Sequence, residues 1–244
     1  MIGFIISALK IIILLGFLVL IHEGGHFLVA KLFKIKVNEF AIGFGPTIFA
    51  KEEGETIYAL RLIPLGGFVS MEGEEERSEK EGSFSEASIP KRIAIAAAGG
   101  LVNILLGLLL YYIISSIALN SMYNGLIDTK EFFISIFESI RLLFTGSISM
   151  NQMTGIIGIS DIVVNTNGMM DYLYIMALIS ASLGITNLLP FPPLDGGKIV
   201  IYLIEAIRRK PMKEETELSI QSLGFSLLII LAVVVTYNDI IRIF

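Results

Sequence analysis

Four stretches of the chain are apolar for longer than a soluble core requires. They run over 4–33, 93–119, 171–207 and 218–244. Each exceeds the roughly 20 residues that a helix needs to cross the hydrocarbon of a bilayer. The pattern therefore predicts an α-helical multi-pass membrane protein with four spans. The third stretch is overlong and contains Pro190, Pro192, Pro193 and an Asp-Gly-Gly. Proline removes a backbone donor and clashes with the preceding turn, so this span is predicted to be a broken helix.

The segments between the spans carry their own patterns. Residues 37–70 hold alternating runs such as "TIYALRLI", punctuated by Gly-Pro, Glu-Gly and Pro-Leu-Gly-Gly. That is the signature of one or two β-hairpins lying against the membrane. Residues 71–88 include "MEGEEERSEKEGSFSE", which reads as a solvated, mobile acidic loop. Residues 128–145 space apolar positions helically and predict an amphipathic surface helix on the outer face, before the third span.

Composition sharpens this picture. Hydrophobic residues make up 54% of the 244 and charged residues 17%, below the quarter usual in soluble domains. A net charge of −5 gives no basic footprint for nucleic acid. There is no cysteine, which excludes disulfides and thiolate chemistry. The first apolar run is too long for a signal-peptide core and no small-residue cleavage site follows it, so it reads as retained. Lys34, Lys36, Lys51, Arg61, Arg77, Lys80, Lys91 and Arg92 lie between spans one and two. Arg208, Arg209, Lys210 and Lys213 follow span three, whereas the second connection holds only Lys130 and Arg141. The excess of Lys and Arg predicts that the first and third connections face the cytoplasm and both termini face out.

Inside the first span sits HEGGH, residues 22–26, with the only two histidines of the chain. Ionisable groups in hydrocarbon are costly and mark function. His22 and His26 stand one helical turn apart and project from one face, so both imidazoles reach a single metal ion. Glu23 lies about a quarter-turn away, beside the metal's open position. This is the logic of H-E-x-x-H: two ligands and a general base. Zinc suits imidazole and keeps an open position in catalytic sites, where a third protein ligand is normal. With cysteine and further histidine absent, that ligand is a carboxylate. Asp195 and Glu205 are the candidates within the spans. Asp195 is favoured, because prolines precede it and two glycines after it let backbone approach closely. A helix N-cap is the competing role for Asp195.

HEGGH on a first span and N-x-x-P-x-P-x-L-D-G-G on a later one (187–197) resemble the site-2 protease family of intramembrane zinc metalloproteases. "GFGP" (43–46), "PLGGFV" (64–69) and "AAGGLVN" (97–103) extend the resemblance to the bacterial sigma-factor-regulator branch. The resemblance implies that His22, His26 and Asp195 bind Zn2+, that Glu23 is the catalytic base, and that Asn187, Pro190 and Pro192 lie near the substrate. Asn187 or Asn103 is a candidate oxyanion donor, with interhelical hydrogen bonding as the ordinary alternative. Single-span membrane proteins or signal peptides are the implied substrates, and the bacterial cytoplasmic membrane the implied location, with zinc toward the cytoplasmic side. Two departures stand out. The branch's Ala-Gly-Pro is Ala-Gly-Gly at Gly99–Gly100, and Ile156 replaces a proline in "TGIIGI". The roughly fifty residues between spans two and three are also too few for the branch's PDZ domain beside a surface helix. A membrane metal transporter, or a metal-binding protein without protease activity, is the alternative. It calls for polar sites strung through the membrane, and only one cluster is evident.

Overall fold

The computed structural model describes residues 2–74, 76–147, 154–166 and 168–243. In chain order the elements are α1 (Ile2–Leu32), β1 (Val37–Glu53), β2 (Thr56–Met71), α2 (Ile89–Ala118), α3 (Met122–Phe144), α4 (Ile156–Val164), α5 (Met169–Asn187), α6 (Asp195–Arg208) and α7 (Glu214–Ile243). Windows in α1, α2, α5 and α7 are long and apolar enough to cross a membrane. Many of their large apolar side chains face outward, among them Leu28, Leu105 and Val233. That is expected where lipid, not water, is the solvent. The third apolar stretch is broken as the prolines require: α5 ends at Asn187 and α6 starts at Asp195.

Packing divides the chain into two units. One comprises Ile12–Asn103 and Gly184–Gly224. Here α1 touches α2, and α2 touches the end of α5, through small residues. A Cβ on Gly25 would stand 2.7 Å from the Ala98 carbonyl oxygen, and one on Gly100 would stand 2.8 Å from that of Gly184. Small residues are how helices approach closely in lipid. β1 and β2 pair antiparallel and turn at Gly54, which has φ +66°. Both strands bend, so residues 39–42 have partners on two sides: Ile42 faces both Gly67 and Leu60. The far edge of 67–70 meets no strand among the described residues. The loop after β2 is more ordered than its charge pattern predicts. Ser83 and Ser85 both donate to the Ser78 carbonyl, and Phe84 is buried in the core with Tyr202 and Ile95. The Lys80 ammonium and the Ser78 hydroxyl hold the Glu72 carboxyl below the usual carboxylate range.

The other unit comprises Met1–Ile11, Ile104–Leu183 and Phe225–Phe244. The surface helix predicted over 128–145 begins earlier, at Met122. Ser121 accepts a hydrogen bond from the Asn124 amide and caps it. Gly125, which reads as a breaker, instead lets α3 approach Ser116, whose Cα a Cβ would meet at 2.8 Å. Asp128 ties α3 to α2 by accepting from Tyr111 and Ser115, while Tyr111 stacks on Phe132 at 3.9 Å.

The sequence pattern gives no hint of α4. Its amino end is held by fully buried Asp239 of α7, whose Oδ2 accepts from the Gly155 and Gly158 amides at 2.9 and 2.8 Å. Past its carboxyl end, the Lys10 ammonium donates to the Thr166 carbonyl at 3.3 Å. A carboxylate at the start and an ammonium at the finish both match the helix dipole. The same pairing accounts for Lys10 inside an apolar run. Replacing Asp239 by Ala removes the cap and leaves Arg242 without its partner. The expected loss is about 1–2 kcal/mol, measured as a lower unfolding midpoint in detergent.

Candidate active site

His22 and His26 both lie on α1 and are buried, and their Nε2 atoms are 3.3 Å apart. Asp195, the first residue of α6, brings its Oδ2 to 3.0 Å from His22 Nε2 and 3.3 Å from His26 Nε2. Leu194, not Asp195, occupies the N-cap position of α6, so the capping role expected as an alternative is not the one adopted. Glu205, the other carboxylate considered, is elsewhere. It is buried against Arg92 at 2.9 Å and accepts from the Met212 amide at 2.6 Å.

Glycines explain how these groups can converge. A Cβ at Gly99 on α2 would stand 2.7 Å from His22 Nε2, so only glycine lets α2 pass there. A Cβ at Gly197 would stand 2.6 Å from the Pro192 nitrogen. The Asp-Gly-Gly is thus needed because the proline turn lies directly on the first turn of α6, which seats Asp195 firmly. Gly66, with φ +107°, and Gly67 carry β2 past Glu23.

The donor set fits a divalent metal. The Ile95 carbonyl lies 2.7 Å from His26 Nδ1 and takes the ring proton there, so a neutral His26 presents a bare lone pair at Nε2. Facing it are a second Nε2 and a carboxylate oxygen. Asp195 Oδ2 is buried with no hydrogen-bond donor aimed at it among the described residues. Three converging lone pairs repel unless a cation sits between them. Ligand atoms about 2.0–2.2 Å from a tetrahedral zinc lie about 3.3–3.6 Å from each other, close to the separations found. These three are the one metal-competent cluster of His, Cys, Asp and Glu among the described residues. A transporter's succession of sites is not seen among the described residues.

Around the cluster is a cavity of about 220 Å³, lined also by Glu23, Phe68, Val69, Met71, Glu74, Lys198 and Tyr202. Asn103 is fully buried and lies outside this lining. Its amide nitrogen lies 3.4 Å from His22 Nδ1, on the side of the ring away from Asp195. The contact holds the His22 ring in orientation while Nε2 faces Asp195. Asn187, Pro190 and Pro192 do not line the cavity either. The prolines act instead through backbone, as the platform beneath Gly197 and, through Pro192, against Gly224 of α7. No motif in the sequence marks Lys198 or Glu74. Lys198 stands three residues after Asp195 on the same helix face, a spacing the sequence does display.

The family model for peptidase family M50 matches residues 10–231. The chain belongs to this family. It is an intramembrane zinc metalloprotease of the site-2 protease kind, a multi-pass membrane protein that uses Zn2+ and acts on membrane proteins. A protein of Clostridium perfringens, provisionally named a zinc metalloprotease, is 30% identical across 92% of this chain and 95% of its own length. A similarly named protein of Clostridium acetobutylicum is 27% identical across 94% and 96%. Zinc metalloprotease RasP of Shouchella clausii is 25% identical across 98% and 99%. These alignments run over 320, 326 and 415 positions against a chain of 244, so each relative holds residues that this M50 member lacks. Between α2 and α5 its described residues form only α3 and α4.

Proposed function

We propose that His22, His26 and Asp195 hold the catalytic zinc, and that Glu23 is the general base for hydrolysing peptide bonds within membrane-spanning segments. The convergence of Asp195 Oδ2 on both Nε2 atoms, at 3.0 and 3.3 Å, carries this reading. Zinc held there would supply Lewis acidity, lowering the pKa of water and polarising a carbonyl. Glu23, in the cavity lining, would take a proton from the attacking water and return it to the departing amine. His26 is oriented by the Ile95 carbonyl and His22 by Asn103.

Single-span membrane proteins and remnant signal peptides are the proposed substrates, in the bacterial cytoplasmic membrane. The distribution of Lys and Arg supports a zinc site toward the cytoplasm and termini outside. A peptide inside a helix hides its carbonyls, so the substrate must be extended to be cut. The edge at 67–70 supports a way to do this: Phe68 and Val69 line the metal cavity, and no strand occupies their far side among the described residues. A substrate segment added there becomes a further strand.

The absence of native cysteine makes this testable. Ser70→Cys, combined with Glu23→Gln to stop turnover, is reacted with a single-span substrate carrying one cysteine at successive positions. Strand addition predicts disulfides at alternate positions, the period of a strand. Crosslinks spread evenly, or none, would remove strand addition while leaving the zinc chemistry untouched.

A further inference from the structure

A second cavity, of about 520 Å³, adjoins the metal cavity, and the two share Val69, Glu74, Phe84, Lys198 and Tyr202. Across this shared boundary Lys198 Nζ donates to Glu74 Oε1 at 2.8 Å. Lys198 stands one turn beyond Asp195 on α6. Glu74 follows Met71, the end of β2, by three residues, across a turn at Gly73 with φ +79°. The pair thus joins the helix that carries a proposed metal ligand to the strand edge that lines the same cavity.

We infer that the Lys198–Glu74 ion pair is a positioning device that sets the register of the substrate strand against the metal centre. The inference rests on strand addition at 67–70. Both ends of the pair are anchored. The first turn of α6 is seated under the proline turn through Gly197, and the edge is paired to β1 through Ala41–Phe68 and Phe40–Val69. Glu74 lies between those anchors, and the ion pair ties it to α6. The side chains are 29% and 17% exposed, so water screens the pair less than it would on an open surface. An extended substrate places successive carbonyls about 3.3 Å apart. A small displacement of the edge therefore changes which bond meets the metal, and a misplacement of about 1 Å costs up to about a hundredfold in rate.

Lys198→Met keeps the stem and removes the charge, and Glu74→Gln keeps the shape. Each is expected to lower kcat about tenfold, with a smaller change in KM, to leave one zinc per chain, and to spread cleavage over neighbouring bonds as read by mass spectrometry. The double variant should be no worse than either single one, because one interaction is lost. Lys198→Arg should keep the native cleavage position, and the exchange Lys198→Glu with Glu74→Lys should recover most of it. A merely bracing role would lower the unfolding midpoint without moving the cleavage position. Unchanged kcat and cleavage position in the single variants, or losses that multiply in the double, would overturn the inference. The Ser70→Cys ladder separates the two levels. If the ladder is absent in the parent chain, strand addition fails and this role falls with it. If the ladder forms, but neither it nor the cleavage position moves in Lys198→Met, only the role of the pair fails.

Discussion

Replacing Glu23 by Gln is expected to abolish turnover while leaving the metal in place. The amide is nearly isosteric with the carboxylate, so α1 and its packing should be preserved. Glu23 lines the metal cavity but is not among the three converging ligand atoms, and zinc content should stay at one per chain. What the amide cannot do is take a proton. General-base catalysis contributes about 10²–10⁴-fold, and here the same group also serves the departing amine. Loss of kcat should lie toward the upper end of that range, measured on a purified single-span substrate beside a zinc assay. His22→Ala should lose zinc and cleavage together. A Glu23→Gln protein that cut at full rate would mean that another group moves the proton.

Asp195→Ala should remove zinc itself. His22 and His26 would remain on α1 but would make a two-ligand site, and catalytic zinc sites normally have three protein ligands. Losing a group that merely supports a ligand costs about 10–100-fold in metal affinity, so losing a ligand should cost more. Glu205→Gln is the matched control. It lies with Arg92 and the Met212 amide, outside the metal cavity, and should reduce stability while keeping one zinc per chain. Equal zinc loss in both variants would point to general unfolding.

The sequence displays the site more clearly than it displays the frame around it. Histidines and a carboxylate inside apolar spans are costly, so HEGGH and Asp195 stand out against their background. The choice between Asp195 and Glu205 could also be read, because prolines and glycines surround only the first. Other features depend on partners far along the chain. Asp239 bonds Gly155 across 84 positions, Lys10 reaches Thr166 across 156, and Lys198 reaches Glu74 across 124. Nine residues of α4 have too little local signal to announce a helix, since short helices depend on tertiary support. The acidic loop departs from its charge pattern for a similar reason. Its charges suggest solvation, but its serines bond one another and Phe84 enters the core. Asn103 reads as a candidate oxyanion donor on a span, and only the fold places its amide behind His22.

The most direct measurement is X-ray absorption at the zinc edge on the purified, active protein, beside Asp195→Ala. Two imidazole nitrogens and at least one carboxylate oxygen at about 2.0–2.2 Å are expected in the parent chain, with the signal lost in the variant. Active protein without zinc, or zinc with no histidine scattering, would contradict the meeting of Asp195 with His22 and His26 around one metal ion.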